Sequence, residues 1–224
     1  MRMLILNCDF DRNIETNGAE LIRLYTTFYG VKNTNILNIF ESQFSLEAEL
    51  PAYDGIVITG SRAAVYENME WIKKLEDLVI TIDGLGIPTL GICFGYQIVA
   101  QALGGKIEDS GKFTEGFESI ELTPDGVSNV LFEGFPAKFQ VYQSHGDIAI
   151  MIPENSLILA KSVNSLEAYK IREFICLQFH PEILIETAVR MAVRDGKGLN
   201  SVLNSDNYIV TPNILRNFIK YCNK

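Results

Sequence analysis

Short apolar runs alternate with longer helical patterns through the first half of this 224-residue chain. The runs that are typical of buried strands are 3–7, 35–40, 55–59 and 89–92. Other segments place apolar residues three and four positions apart, as amphipathic helices do, at 19–28, 70–84 and 95–103. Because a helix between two strands carries the chain back across the sheet, this order predicts a parallel sheet with helices on both faces.

From about Phe117 the strand-like runs follow one another more closely. They are 118–122, 138–143, 147–151, 157–160 and 174–179. Strands joined by such short connections pair antiparallel, so we expect them to extend one edge of the parallel sheet. Helical patterns return at 184–194 and 213–221, and the polar stretch 195–207 between them predicts a surface loop. We interpret residues 1–224 as one α/β domain.

Composition and charge exclude several classes of function. The chain has 19 Lys and Arg against 28 Asp and Glu, which gives a net charge of −9 with His neutral. A protein that binds the phosphates of nucleic acid normally carries a basic patch, so nucleic acid is not an expected partner. No apolar run reaches the roughly 18 residues of a membrane span. The amino terminus lacks a small-residue cleavage site, and we expect a cytoplasmic protein without a signal peptide.

The cysteines are too scattered for a disulfide scaffold or a structural zinc site. Cys8, Cys93, Cys176 and Cys222 lie far apart, and none forms a Cys-x-x-Cys pair. In a reducing compartment such thiols stay free. We predict neither a metal nor a cofactor.

Cys93 lies in the sequence Gly-Ile-Cys-Phe-Gly (91–95), between a predicted strand and a predicted helix. This has the form of a nucleophile elbow, with cysteine in place of serine. Glycines two residues on either side let strand and helix approach closely, and the helix dipole favours a thiolate. The backbone N–H of Phe94 could then meet an oxyanion. Read alone, Cys93 could equally be a small buried apolar residue.

A thiol nucleophile needs a base, and the chain has only two histidines. His180 follows the apolar run 174–179, and the carboxyl end of a strand is where open α/β sheets bind ligands. Glu182 is two residues further on and could orient the imidazole. Spacing alone does not prove contact with Cys93, since a histidine at a strand end is commonly just solvated.

The second histidine, His145, lies in Ser-His-Gly-Asp (144–147). Residues so close in sequence rarely converge as a serine triad, so we interpret this segment as a turn in which Gly146 permits an unusual backbone angle. The loop that begins Thr-Gly-Ser-Arg (59–62) follows a predicted strand and could offer backbone N–H groups.

Together these segments resemble the class I glutamine amidotransferases. The nucleophile block 91–97 with Ala-Leu-Gly-Gly (102–105), the block Gln-Phe-His-Pro-Glu (178–182) and the segment 144–147 stand in that family's order. Further similarity at 58–61 and 66–75 is to the stand-alone GMP-synthase-like subgroup, which includes γ-glutamyl peptidases. The resemblance spans residues 60–182 and implies a flavodoxin-like fold.

The resemblance also implies the chemistry, which is hydrolysis of a γ-glutamyl amide through a thioester. Its catalytic residues would be Cys93, His180 and Glu182. The backbone N–H groups of Gly60 and Phe94 would form the oxyanion hole. The substrate's α-amino and α-carboxylate groups would be held by four further residues: Gln97, Ser144, Gly146 and Asp147.

The sequence departs from the biosynthetic members of that family in two ways. Gly-Ser-Arg (60–62) replaces their Gly-Gly-Pro, which puts the shape of the oxyanion loop in question. The 224 residues also show no synthase region, so we expect acceptor chemistry to come from another polypeptide or to be absent.

Three functions therefore stay open: a glutaminase that supplies a separate synthase, a free-standing hydrolase of γ-glutamyl conjugates, and a non-catalytic regulatory protein on the same scaffold.

Overall fold

The structure is a computed structural model and describes residues 1–41, 46–198, 202 and 211–223. The strands are β1 (Arg2–Asn7), β2 (Asn33–Asn38), β3 (Gly55–Ile58), β4 (Thr89–Ile92), β5 (Lys106–Leu122), β6 (Lys138–Met151), β7 (Leu157–Lys161), β8 (Leu166–Ile171) and β9 (Phe174–Leu177). The helices are α1 (Gly18–Phe28), α2 (Glu70–Leu85), α3 (Phe94–Ala102), α4 (Pro124–Val127), α5 (Ile185–Arg194) and α6 (Asn213–Cys222). All nine strands form one sheet in the order β2-β1-β3-β4-β9-β8-β7-β5-β6.

The five strands from β2 to β9 are parallel, which confirms the prediction from the alternating pattern. Successive side chains of a strand face opposite sides of the sheet. Ile5 and Val57 accordingly pack in one apolar core with α1 and α6, while Leu4 and Ile56 pack in a second core with α2 and α3. Helices therefore cover both faces of this parallel half, as expected.

The other four strands run antiparallel and extend the sheet beyond β9. The predicted antiparallel edge is confirmed for β5, β6 and β7, and β5 and β6 are longer than the sequence indicated. The run 174–179, which was predicted as one of these edge strands, is instead β9, which pairs parallel with β4 and ends at Leu177. Most of β5 is exposed or half-buried, so it lacks the regular apolar positions that mark a strand in sequence. For this reason residues 106–117 of β5 were not predicted. Strand β8 was also missed.

The two predicted runs at 138–143 and 147–151 belong to one continuous strand, β6. The prediction of a turn at 144–147 is wrong. Gly146 is not among the glycines with a positive φ, so its backbone needs no special freedom. Cross-strand pairing explains this: in the hairpin with β5, Ser144 lies opposite Glu115 and His145 opposite Thr114, which keeps the backbone extended.

Strand β6 also returns to the end of β9. The backbone N–H of His180 donates to the carbonyl oxygen of Tyr142 at 2.9 Å, and the two residues form an isolated antiparallel bridge. Strands β9, β8, β7, β5 and β6 therefore form a closed ring, in which the His180–Tyr142 bridge joins the last strand to the first. We call this closed ring the hoop.

Two predictions concern the rest of the chain. Most of the predicted loop at 195–207 lies outside the described residues. Within the described ranges, none of the helices combines the length and the apolar character needed to cross a bilayer.

Candidate active site

The turn between β4 and α3 holds Cys93 in a conformation that L-residues rarely adopt, with φ 51° and ψ −101°. Its N–H donates to the carbonyl oxygen of Leu177 at 2.7 Å, which ties the turn to the end of β9. A Cβ on Gly91 would lie 2.6 Å from the Gly95 oxygen, and one on Gly95 would clash with the Ile58 oxygen. Strand and helix therefore approach as the sequence predicted for a nucleophile elbow.

His180 and Glu182 meet beside this turn. The His180 Nδ1 lies 2.8 Å from Glu182 Oε1, and the Glu182 side chain is almost fully buried. The bridge to Tyr142 fixes the backbone of His180. The structure thus brings together the predicted histidine and carboxylate, next to Cys93.

Glu182 and Cys93 both raise the pKa of the His180 imidazole. Burial lowers the pKa of His180, but the Glu182 carboxylate, followed by the charge and hydrogen bonding of Cys93, raises it by more. The pKa of His180 therefore ends well above its usual range. An imidazolium between a carboxylate and a thiol can stabilise a thiolate and later release a proton.

The two backbone groups expected to form an oxyanion hole flank the nucleophile. Phe94 begins α3, and Gly60 follows β3. Within the described ranges, neither N–H donates a hydrogen bond. A Cβ on Gly60 would lie 2.9 Å from His180 Cε1 and 3.6 Å from the Cβ of Cys93, so only glycine leaves room for the imidazole.

The residues expected to hold substrate also converge here. Gln97 Nε2 donates to the carbonyl oxygen of Asp147 at 3.3 Å, and the Cys93 thiol donates to that of Ser144 at 3.8 Å. Ser144, Gly146 and Asp147 reach the site from within strand β6.

The second histidine differs from the first. His145 donates from Nδ1 to the carbonyl oxygen of Asp147 at 3.1 Å when that nitrogen carries its proton. Burial lowers the pKa of His145, an effect that the charge of Glu167 opposes. His145 lines the cavity and contacts the backbone oxygen of Asp147 rather than its carboxylate, which is not the contact that a Ser-His-Asp triad requires.

Apart from Phe94, all of the site residues predicted from the sequence line one open cavity of about 730 Å³, and His145 lines it too. The Phe94 side chain is instead fully buried in the second apolar core, where its ring packs against Trp71 at 5.4 Å between ring centroids. A cavity of this volume falls in the range that accommodates a drug-sized molecule.

Sequence reasoning missed three groups at the site. Asp9 flanks Glu182: a Cβ on Gly18 would lie 3.5 Å from Glu182 Oε1 and 3.8 Å from Asp9 Oδ2. Arg194 forms an ion pair with Asp11 on the same side. Asp9 and Asp11 lie just after the first predicted strand, and this position at the carboxyl end of a strand could have identified them as site residues.

The third missed group lies beneath the nucleophile. Gln178 is fully buried, and its Nε2 lies 4.0 Å from the Cys93 sulfur. As for metals, no group of three or more His, Cys, Asp or Glu in the described ranges is arranged to hold an ion.

Comparison with known proteins agrees with this geometry. The profile of the family "Glutamine amidotransferase class-I" matches residues 7–196. The chain belongs to the class-I glutamine amidotransferase family, whose flavodoxin-like fold it shares.

Individual relatives carry two kinds of name. Gamma-glutamyl peptidase 4 of Arabidopsis thaliana is 35% identical over 149 residues, which cover 64% of this chain and 59% of the relative. A GMP synthase [glutamine-hydrolyzing] of Lactobacillus gasseri is 31% identical over 184 residues, which cover 75% of this chain and 34% of the relative. A solved glutamine amidotransferase from Thermotoga maritima superposes with a TM-score of 0.77 at 22% identity, covering 99% of this chain and 97% of that one.

Proposed function

We propose that this chain hydrolyses the γ-amide of glutamine through a thioester on Cys93 and releases ammonia. The observation that carries this proposal is the convergence of Cys93, His180, whose pKa is raised, and the buried Glu182 at one cavity. A thiol beside an imidazolium, with a carboxylate behind it, suits nucleophilic acyl transfer. The family assignment supports the same chemistry.

In the first half of the reaction, the Cys93 thiolate attacks the γ-carbonyl carbon. The backbone N–H groups of Gly60 and Phe94 stabilise the oxyanion that forms. As the carbon–nitrogen bond breaks, His180 donates its proton to the departing nitrogen, and ammonia leaves.

In the second half, the neutral His180 takes a proton from water, and the resulting hydroxide attacks the thioester carbonyl. The carbon–sulfur bond then breaks, which frees glutamate and restores the thiolate and the imidazolium. One water is consumed for each amide cleaved. Glu182 keeps the ring oriented through both halves.

The rest of the substrate would lie against α3 and β6. Gln97 and the backbone of 144–147 offer amide and carbonyl groups to the α-amino and α-carboxylate groups. Tyr66 supports this wall, because its hydroxyl donates to Asp147 Oδ1 at 3.0 Å.

The ammonia would pass to a separate synthase chain. The GMP synthase relative is named as glutamine-hydrolysing, and this chain matches 34% of its length. In this proposal, the synthase activity is supplied by a second polypeptide.

A specific observation favours a second candidate function, the hydrolysis of larger γ-glutamyl conjugates. The cavity of about 730 Å³ has the volume of sites for drug-sized ligands, and glutamine is a much smaller molecule. The relative named γ-glutamyl peptidase is consistent with this reading.

One assay tests the first proposal and separates it from the second. Purified chain is incubated with glutamine and, separately, with a panel of γ-glutamyl peptides, and release of ammonia or amine is measured. Cys93→Ala should lose at least about 1,000-fold in rate. The control is Cys176→Ala, since Cys176 is a fully buried thiol on β9 outside the cavity and should keep its activity.

The outcomes differ clearly. Cleavage of glutamine but not of the peptides supports a glutaminase that works with a synthase. The absence of any cleavage supports the same function if a glutamine analogue still labels Cys93. Rapid cleavage of peptides with weak release of ammonia supports the free-standing hydrolase. Equal rates for Cys93→Ala and the unaltered chain contradict the thioester mechanism.

A further inference from the structure

Gly60 must satisfy two requirements that oppose each other. A Cβ at this position would lie 2.9 Å from His180 Cε1, so the space available demands glycine. Glycine, however, has the most conformational freedom of all residues, and this freedom lets its N–H turn away from the site. A donor to an oxyanion needs a fixed direction, since a displacement of about 1 Å can lower a rate about 100-fold. Other residues must therefore hold the two peptide units that flank the Gly60 Cα.

The peptide unit between residues 59 and 60 is held by the nucleophile helix. The backbone N–H of Gly95, in the first turn of α3, donates to the carbonyl oxygen of Thr59 at 3.2 Å. This peptide is trans, so its carbonyl and its N–H point in opposite directions. The Gly60 N–H therefore points away from Gly95. The same helix begins at Phe94, the second proposed oxyanion donor, so α3 fixes both donors.

The peptide unit between residues 60 and 61 is held by the Thr59 hydroxyl. Thr59 Oγ1 donates to the carbonyl oxygen of Gly60 at 3.1 Å and accepts the N–H of Cys8 at 2.9 Å. A second acceptor, Asn7 Oδ1, lies further away, at 3.5 Å. Thr59 is fully buried, and hydrogen bonds in such low-dielectric surroundings are stronger than in water. The hydroxyl thus ties the Gly60 carbonyl to the end of β1.

We propose that Thr59 is a positioning residue, whose hydroxyl keeps the Gly60 N–H directed at the oxyanion. This inference rests on the proposed function and adds to it a residue from outside the cavity lining. As the Cys93 sulfur bonds to the carbonyl carbon, the electron pair of the carbon–oxygen double bond moves to the oxygen. Two N–H groups stabilise that oxygen only where both point at it. Losing the hydroxyl should therefore weaken binding of the transition state more than binding of the substrate.

Three variants test this role. Thr59→Val replaces the hydroxyl by a methyl group of similar size, and Thr59→Ser keeps a hydroxyl. Thr89→Val is the matched control: Thr89 is also fully buried and donates to a backbone carbonyl oxygen, that of Ile87 at 2.9 Å, but it lies outside the cavity. Thermal unfolding verifies that each variant folds, and Thr59→Ala takes the place of Thr59→Val if the latter does not.

Two reagents separate oxyanion stabilisation from the reactivity of the thiol. p-Nitrophenyl acetate acetylates a cysteine through a tetrahedral oxyanion, and p-nitrophenolate leaves with the electron pair of the broken bond. Iodoacetamide alkylates the same sulfur at a methylene carbon, displaces iodide and forms no oxyanion. Mass spectrometry of the peptide that contains Cys93 measures both rates at that residue.

Thr59→Val should be acetylated about 10-fold more slowly or worse, because loss of a whole oxyanion donor costs about 100-fold or more. Its alkylation should change by less than about twofold, because the helix dipole and His180, which favour the thiolate, are untouched. Thr59→Ser should recover most of the acetylation rate. Thr89→Val should keep both rates.

The inference is overturned if Thr59→Val is acetylated as fast as the unaltered chain. It is also overturned if acetylation and alkylation fall together in that variant, since Thr59 would then support only the folding of the site. An equal loss of acetylation in Thr89→Val, or an unaltered chain that is not acetylated at Cys93, contradicts it as well.

Turnover of glutamine and of γ-glutamyl peptides by the same samples keeps the two proposals separate. If neither is cleaved but acetylation of Cys93 still depends on Thr59, the positioning role stands and the proposed hydrolysis fails. If they are cleaved at rates that, like acetylation, ignore Thr59, the hydrolysis stands and the positioning role fails. Where both stand, Thr59→Val lowers kcat by about 10-fold or more and changes KM by less than about threefold.

Discussion

The two halves of the sheet contribute to the site in different ways. The groups proposed to react lie at turns that follow parallel strands: Cys93 after β4, His180 after β9 and Gly60 after β3. Of the groups proposed to hold substrate, Gln97 lies on α3, and the others, at 144–147, lie inside a strand of the antiparallel half. The same cavity is therefore lined by turns on one side and by an extended strand on the other.

This difference determines which substitutions each half of the sheet tolerates. A turn packed against neighbouring backbone fixes one atom, as the glycines around Cys93 do, and leaves no space for another substituent. A strand offers backbone groups at regular spacing, and its side chains can change without moving them. We infer that the parallel half sets the chemistry and that the antiparallel half sets the fit of the substrate.

Two glycines provide the largest expected contrast. Gly60→Ala places a Cβ 2.9 Å from His180 Cε1 and should displace the imidazole, with a loss of roughly 100-fold in kcat. Gly146→Ala places its Cβ 3.6 Å from Phe113 Cδ2, an ordinary contact, and should change KM by no more than a few-fold. Steady-state kinetics on both variants, with thermal unfolding to verify folding, measure the contrast. Equal losses in the two variants would remove the distinction between the halves.

Glu182→Gln should have an intermediate effect, a loss of about 10- to 100-fold in kcat/KM. It removes the carboxylate that raises the pKa of His180, so the alkaline limb of the pH–rate profile should move to lower pH. An alkaline limb that stays in place in the variant would show that Glu182 does not control the imidazole.

The same substitution should alter stability in a pH-dependent way. Because the folded pKa of His180 is raised, its ionised ring contributes stability that is fully present below the unfolded value of about 6.5 and is lost as the pH rises through the folded value. The loss of stability in Glu182→Gln should therefore be largest near pH 6. Urea titrations should show that the difference in unfolding free energy between the variant and the unaltered chain becomes smaller at higher pH.

Tyr66→Phe should have the smallest effect. It removes one hydrogen bond, of 3.0 Å to Asp147, from the wall that would hold the substrate's amino-acid end. The expected change is roughly two- to fivefold in KM with kcat nearly constant. A large fall in kcat instead would place this contact with the reacting groups of the parallel half.

The comparison also explains what could be predicted from the sequence. The parallel strands are short, buried runs with helices between them, and the elbow needs glycine at 91 and 95, so both leave marks in the sequence. The long pair of β5 and β6 left such marks only at 118–122, 138–143 and 147–151, because cross-strand pairing rather than apolar periodicity keeps the rest of it extended.

The site shows the same division. Cys93, His180 and Glu182 could be proposed from short motifs, although their convergence needed the fold. Asp9 and Arg194 lie 185 positions apart in sequence, within no motif, and only the docking of α5 beside the end of β1 brings both to the cavity.

The hoop closed at His180 has a consequence for measuring the integrity of the site. The hydrogen bond from the His180 N–H to Tyr142 closes a ring of five strands, so detaching β6 from the end of β9 breaks this bond. Deuterium uptake at the His180 amide should then report how often this ring of strands opens locally, on a timescale from minutes to hours. Hydrogen exchange in a single peptide that contains residue 180 would therefore report the fraction of time for which the site is intact.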